Sequence, residues 1–312
     1  MSVTSATAQL SSFTLAEWST SQLGQIEQAL TRWVACPNDA PAPAGLGDAM
    51  RYAVLDGGKR LRPLLVMAAC EAVNGNLRAA LRSACAVELI HAYSLVHDDM
   101  PCMDNDILRR GKPTVHVKFG EAQALLAGDA LQALAFEFLT PDDGSVDFAT
   151  QARLCRMLAQ AAGFQGMAGG QAIDLASVGL PLNSVQLHEM HRLKTGALLQ
   201  ASVMMGAGCG QATPAVQQSL RDYGAAVGLA FQVVDDILDV TSDSATLGKT
   251  VGKDAAQDKP TFVSLMGLEA SKDYAQQLLA RALASLAAVE DQGLENTDAL
   301  RALADMLVNR HH

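Results

Sequence analysis

Four carboxylates fall within nine positions in Asp98-Asp99-Met100-Pro101-Cys102-Met103-Asp104-Asn105-Asp106, and Arg109-Arg110-Gly111-Lys112 follows at once. The helical apolar pattern leading into them (Ala86, Val87, Leu89, Ile90, Leu95, Val96) reads as buried. Two ionised carboxylates ~4 Å apart repel by roughly 4 kcal/mol at a protein-surface dielectric, so such a cluster at a buried helix end destabilises the fold unless cations neutralise it. Hard oxygen donors, without paired His or Cys, point to Mg²⁺ or a similar ion. Pro101 disfavours helix at Met100, so the helix is expected to end near Asp99 and a short loop to bring Asp104 back. A second cluster lies far downstream in Phe231-Gln232-Val233-Val234-Asp235-Asp236-Ile237-Leu238-Asp239. On a helix, Asp235 and Asp239 share a face one turn apart, with Gln232 a turn earlier. Both clusters then face one metal-filled cleft.

The chain also carries Gly57-Gly58-Lys59-Arg60-Leu61-Arg62-Pro63, Lys194-Thr195, and Arg109-Arg110-Gly111-Lys112-Pro113-Thr114 directly after the first aspartates. Taken in this order, the DDxxxxD and DDxxD segments and these motifs resemble the trans-prenyltransferases (polyprenyl synthases), with the bacterial farnesyl diphosphate synthases the nearest likeness. The resemblance runs from about Met50 to Arg310. It implies a Mg²⁺-dependent head-to-tail condensation of isopentenyl diphosphate with dimethylallyl and geranyl diphosphate, begun by ionisation of the allylic diphosphate. Three Mg²⁺ per site are implied, with Mn²⁺ a possible substitute, and a homodimer.

The residues carry this further. Lys59 and Arg62 stand three apart at a Gly-Gly turn entering a helix, where free amides and the helix dipole favour a phosphate; a solvated basic turn is the competing reading. His91 lies seven residues before Asp98, two turns back on the same face. By resemblance, Lys59, Arg62, His91 and Arg110 hold the isopentenyl diphosphate and Arg109 the allylic one. Asp98, Asp104 and Asp235 are the expected metal ligands, with Asp99, Asp236 and Asp239 behind them or adding a ligand. Gln171 and Asp174 match a family segment near the metals, with close helix packing through Gly169 and Gly170 as the alternative. A local break at Lys194-Thr195-Gly196 would expose a carbonyl dipole that, with the Thr195 hydroxyl and the Gln232 amide, stabilises an allylic cation. Lys194, Lys249 and Lys259 are expected on the allylic diphosphate, the last two closing from the side of a lid-like loop at 241–258. Tyr93, followed by small Ser94, resembles the pocket floor of farnesyl-producing enzymes; a buried core tyrosine is the alternative.

The elements that must position these residues read as helices throughout. The 312 residues are 49% hydrophobic, with no run of strand alternation. Helices are expected from Leu46 to Asp56, from near Pro63, and over 77–99, 118–139, 148–163, 184–209, 215–240, 260–269, 271–290 and 295–309. The expected fold is all-α, one domain over 1–312 with residues 1–13 mobile: a bundle of about ten or more helices around a central cavity. A net charge of −10 argues against a nucleic-acid surface. No apolar run approaches the ~18 residues of a membrane span, and the N-terminus shows no secretory pattern. Six cysteines without CxxC spacing read as reduced cytoplasmic thiols.

Four other functions compete. A geranylgeranyl diphosphate synthase keeps every motif and differs mainly at the pocket floor. A terpene cyclase needs no second diphosphate site and lines its cavity with aromatics, whereas this chain has 2 Trp, 4 Tyr and 8 Phe. A di-iron bundle needs the Glu88-x-x-His91 pattern twice. A non-catalytic subunit would have lost an aspartate cluster.

Overall fold

Leu61–Ala72 and Ala197–Gly208 are apolar on nearly every side, a pattern that only an interior helix can carry. The computed structural model describes residues 13–35, 42–55, 57–180, 182–241 and 261–310. In it these two segments form the centre of an all-α fold. In chain order the helices are α1 (Leu15–Trp33), α2 (Leu46–Leu55), α3 (Leu61–Ala72), α4 (Leu77–Asp98), α5 (Val115–Phe119), α6 (Glu121–Leu139), α7 (Phe148–Ala162), α8 (Met167–Ala176), α9 (Ser184–His191), α10 (Ala197–Gly208), α11 (Pro214–Thr241), α12 (Phe262–Met266), α13 (Leu268–Glu290) and α14 (Asp298–Val308). A π-helical turn, Arg192–Gly196, joins α9 to α10. The described β-structure is a two-residue antiparallel hairpin, β1 (Leu108–Arg109) with β2 (Lys112–Pro113).

Four elements differ from the sequence pattern. The helix expected over 118–139 is cut at Gly120, whose φ of 88° no helix accommodates, and α5 begins earlier at Val115. The helix expected over 184–209 is broken at the π turn, where the break at Lys194–Gly196 was anticipated. Helix α3 starts at Leu61, with Pro63 inside its first turn, where a missing N–H costs nothing. Helix α8 was not foreseen, because Gly169 and Gly170 weaken its helical signal. Lys249, Lys259 and most of the 241–258 loop lie outside the described residues.

The innermost helices are α3, α4, α10 and α11. Leu64, Leu65, Val66 and Met67 of α3 are at most 3% exposed, each such burial contributing roughly 1.5–3 kcal/mol. Helix α10 approaches α3 so closely that a Cβ on Gly206 would stand 2.2 Å from the Val66 carbonyl oxygen. Helix α11 is tied to α14 by the buried Tyr223 hydroxyl, which donates to the Leu300 carbonyl at 2.7 Å. Helix α4 has the length and mean hydropathy (1.2) of a membrane span, contrary to the expectation that no segment would, but 67% of that stretch is buried within the protein, as in a core helix.

One buried ion cluster sets the start of α3. Arg60, in the left-handed region at φ 47°, turns inward. Its Nε donates to Glu27 Oε1 and its Nη1 to Glu88 Oε1, both at 2.6 Å, and its Nη2 donates to the Val54 carbonyl. Burial works against the Arg60 charge, but the two glutamates more than offset it and raise its pKa. With Arg60 fixed inside, its neighbours Lys59 and Arg62 are fixed on either side of it. Arg60→Ala leaves Glu88 buried and unpaired, and the midpoint of urea unfolding should fall by the equivalent of roughly 3–5 kcal/mol; an unchanged midpoint would show that the pair does not hold this turn.

Candidate active site

Helix α4 ends at Asp98 as its sequence requires, and the chain folds back over that end. The Asp104 amide donates to the Asp98 carbonyl at 2.9 Å, and the Asp106 amide to the Asp99 carbonyl at 3.1 Å. The loop therefore returns Asp104 to Asp98, as expected. Burial pushes the Asp98 carboxyl up to about 6; the Lys194 ammonium opposes this, while Asp104 and Asp99 add to it. Asp99 is 2% exposed. It is gripped by Arg109, whose Nε donates to Oδ2 at 2.7 Å and whose Nη2 donates to Oδ1 at 2.5 Å. The two residues assigned from sequence to a metal and to an allylic diphosphate thus neutralise each other.

Two turns back along α4, the charge changes sign. Burial lowers the His91 pKa well below its usual value, and Arg62, Arg110, Arg109 and Arg60 lower it further, so the imidazole is neutral. Arg62 Nε is buried with no hydrogen-bond partner. Burial, only partly countered by Glu88, pulls its guanidinium down to about 10. Arg110, itself left-handed at φ 52°, donates to the Gly57 carbonyl. Its guanidinium lies over Gly58, where a Cβ would meet Nη1 at 2.8 Å. Arg62, Arg110, Arg109 and Arg60 thus surround His91 as a basic cluster with an unsatisfied donor on Arg62, and Lys59, next to Arg60 in the chain, is exposed. A cavity of about 60 Å³ opens alongside, among Ala92, Leu95, Asp99, Arg109, Arg110 and Thr114.

On the opposite side stand the π turn and α11. Lys194 Nζ donates to Asp174 Oδ2 at 2.6 Å. Asp174 is 6% exposed. Gln171, one turn earlier on α8, buries both amide atoms without a partner. Helix α8 reaches this position because a Cβ on Gly170 would be 2.1 Å from the Lys194 amide nitrogen, so close packing and proximity to the site hold together. The Thr195 hydroxyl donates to Gln232 Oε1 at 3.1 Å, and Gln232 Nε2 donates to Asp236 Oδ1 at 2.8 Å. Asp236 Oδ2 accepts the Phe262 amide at 2.8 Å, so this aspartate anchors the start of α12. Asp235 and Asp239 are half-buried one turn apart on α11. The charge of Lys194 reaches Asp98, and Thr195 beside it bonds to Gln232 of α11, so the π turn acts on residues of both aspartate-bearing helices.

Among the described residues no three Asp, Glu, His or Cys side chains form a metal-holding group. Single and paired carboxylates suit Mg²⁺, which takes one or two from the protein and fills the rest of its octahedron with phosphate and water. Asp98 with Asp104 fits that demand, and Asp235 offers a further carboxylate from α11.

Tyr93 faces α6. Its ring meets His97 edge-on at 5.7 Å, and burial raises its hydroxyl pKa, with Gln132 of α6 opposing the shift. Ser94 lies one turn before Asp98 and donates to the His91 carbonyl at 2.9 Å. Two neighbours of the site escaped sequence reasoning. Arg310 Nη2 lies 3.5 Å from Asp235 Oδ1, with its guanidinium 4.7 Å from the Phe231 ring centroid; no spacing signal links residues so far apart. His191 is buried with both ring nitrogens unpartnered, beside Phe262 at 5.4 Å.

A sequence model of the family described as polyprenyl synthetase matches residues 43–295. Geranylgeranyl pyrophosphate synthase 4 of Arabidopsis thaliana is 47% identical over 273 residues, covering 86% of this chain and 72% of that protein. A probable farnesyl diphosphate synthase of Sinorhizobium fredii is 50% identical over 269 residues, covering 85% and 80%. The crystal structure of a geranyltransferase from Helicobacter pylori, complexed with magnesium and isoprenyl diphosphate, superposes with a TM-score of 0.82 at 35% identity, covering 96% and 97% of the two chains.

The Asp98 environment has a measurable cost. Because its folded pKa of about 6 lies above the ordinary 3.8, stability from this group is present below pH 3.8 and lost as pH rises through 6. Without added metal, Asp98→Asn should therefore be more stable than the parent at pH 7, by on the order of 2 kcal/mol. The advantage should shrink between pH 6 and pH 4. Unfolding curves for both proteins across that range check it; a constant or absent difference counts against a half-buried, ionised Asp98.

Proposed function

This chain belongs to the polyprenyl synthetase family, and from that premise we propose that it condenses isopentenyl diphosphate with dimethylallyl and then geranyl diphosphate to give farnesyl diphosphate. One observation carries the two-substrate reading: a basic cluster with an unsatisfied Arg62 Nε and a neutral His91 sits two helical turns from the half-buried Asp98, whose carboxyl is pushed up to about 6. A cyclase has no use for the first of these.

In this proposal Arg62, Arg110, Lys59 and His91 clamp the isopentenyl diphosphate and set its double bond towards the allylic carbon. Asp98, Asp104 and Asp235 would hold Mg²⁺, three ions per site with Mn²⁺ an acceptable substitute, leaving Asp239 and the Gln171 amide to hold coordinated water. Bound there, the metal acts as a Lewis acid on the departing diphosphate. Lys194 and Arg109, oriented by Asp174 and Asp99, turn their remaining N–H groups to the allylic diphosphate, with Lys249 and Lys259 from the following loop. The Thr195 hydroxyl, aligned by Gln232, presents its lone pairs to the allylic cation, and the π turn takes backbone carbonyls out of the regular ladder to the same end.

Tyr93, with Gln132 of α6 acting on its hydroxyl, supports a floor that stops the chain at C15. The C20 product remains the second reading, because the geranylgeranyl synthase of Arabidopsis is about as similar as the farnesyl synthase of Sinorhizobium. A homodimer is supported by the outer face of α6, which exposes Leu125 and Leu126 at 47% and 51%. A cytoplasmic setting is supported by the described cysteines, all free thiols.

The deciding experiment incubates the purified protein with Mg²⁺, isopentenyl diphosphate and dimethylallyl diphosphate and reads product length by mass spectrometry. A dominant C15 product is expected; a dominant C20 product selects the second reading, and no condensation overturns both. Tyr93→Ala should lengthen the product. Asp98→Ala or Asp235→Ala should lower kcat by about 10³-fold or more with the circular dichroism unchanged. Lys59→Ala should raise KM for isopentenyl diphosphate roughly tenfold while leaving the allylic KM near its parent value; equal losses would contradict two separate diphosphate sites.

A further inference from the structure

Two cysteines meet far from the aspartates. Cys70 lies in the last turn of α3, and Cys209 caps α10. One turn earlier on both helices the backbones touch, since a Cβ on Gly206 would lie 2.2 Å from the Val66 carbonyl oxygen and 2.9 Å from the Ala69 methyl. The two helices run side by side in the same direction from that contact, so Cys70 comes opposite Cys209. The chain after α3 then ties the pair together. The Gly75 amide donates to the Cys70 carbonyl at 2.9 Å, and the Asn76 amide to the Cys209 carbonyl at 2.8 Å. A Cβ on Gly75 would stand 2.8 Å from Cys70 Sγ and 3.0 Å from the Cys209 carbonyl carbon, so a single point lies within contact of both residues. The Cys209 thiol donates to the Met205 carbonyl one turn back at 3.2 Å.

From this juxtaposition we infer that Cys70 and Cys209 are a dithiol site that a small hydroperoxide converts into a reversible intramolecular disulfide. The approach is by way of Gly75, which touches the Cys70 sulfur and lines a cavity of about 500 Å³ together with Trp18, Glu71, Asn74 and Leu77. The environment also separates the two roles. The neighbouring Cys70 thiol draws the Cys209 thiol below its ordinary pKa against the effect of burial, aided by Ser83 and the Arg153 charge. Ser83 Oγ lies 3.9 Å from Cys209 Sγ. The same contact and burial push the Cys70 thiol far up. Cys209 is the less enclosed of the two, at 7% exposure against 0% for Cys70, and Ser83 Oγ stands beside its sulfur, so Cys209 is assigned as the attacking thiol and Cys70 as the resolving one.

The Cys209 sulfur attacks one peroxide oxygen, breaking the O–O bond and leaving Cys209 as a sulfenic acid; the departing hydroxide takes a proton to become water. The Cys70 sulfur, losing its proton, then attacks the Cys209 sulfur and expels the sulfenic oxygen as a second water. Two thiols are oxidised by two electrons and one peroxide is reduced to two waters. A small dithiol reverses the step. The bridge would join the C-terminal ends of α3, whose first turn bears Arg62, and α10, which continues from Thr195.

The test treats the full-length protein with increasing hydrogen peroxide, holding circular dichroism at its native value, then alkylates under denaturing conditions and maps peptides by mass spectrometry. Expected is a loss of two thiols, a Cys70–Cys209 linked peptide that dithiothreitol abolishes, and dimedone trapping at Cys209 in Cys70→Ser. Linkage through other cysteines, oxidation confined to the exposed Cys102, or faster dimedone labelling of Cys70 in Cys209→Ser than of Cys209 in Cys70→Ser would overturn the assignment. Both variants should retain the parent's basal condensation rate, so failure of this inference is separable from failure of the proposed activity.

Discussion

The structure turns on charge held where water cannot screen it. Along two turns of α4 the protein places a neutral imidazole among four arginines and then a half-buried carboxylate beside two others. Each cluster repels itself, and at the reduced dielectric of a partly buried site that repulsion is several-fold larger than in water. Opposite charges this close would ordinarily collapse together. They do so only in part, at Arg109 with Asp99 and at Lys194 with Asp174. The remainder, Arg62 on one side and Asp98 on the other, is kept apart by the rigid helix between them. Ligands of complementary charge, a diphosphate at one end and divalent ions at the other, are what such a division accommodates.

Holding that division requires anchors within the protein. Arg60 is one: drawn inward by Glu27 and Glu88, it fixes the Gly-Gly turn so that Lys59 and Arg62 flank it. Asp236 is another, receiving Gln232 and the first amide of α12 at once. The aspartate pairs that look equivalent in sequence therefore divide their work. In each pair the second member, Asp99 or Asp236, is locked by protein donors, and the first is held more loosely: Asp98 is half-buried, and among the described residues Asp235 has only Arg310 Nη2, at 3.5 Å. Helix polarity explains the division, since adjacent residues on a helix point about a quarter-turn apart and only one of them can face the cleft.

The π turn shows how packing produces a local irregularity. The sequence from Ser184 to Gly208 has no proline and reads as one helix. Gly170 of α8 presses against the Lys194 backbone, and Gln232 of α11 takes the Thr195 hydroxyl. A helix gripped from both sides accommodates one extra residue in the turn between.

Much of this was determined by the sequence itself. Apolar periodicity specified an all-α fold, Pro101 specified the loop that returns Asp104 to Asp98, and the spacing of His91 from Asp98 placed them on one face, because each depends on interactions within a few residues. Tertiary structure decided what depends on partners distant along the chain: that Arg109 pairs with Asp99 and Lys194 with Asp174, that Arg310 comes to Asp235, that Gln132 acts on Tyr93, and that Cys70 meets Cys209. Local propensity cannot encode which of several cations reaches a given carboxylate. That choice is made only when helices far apart in sequence are packed to a fixed distance and the loser is left unpaired.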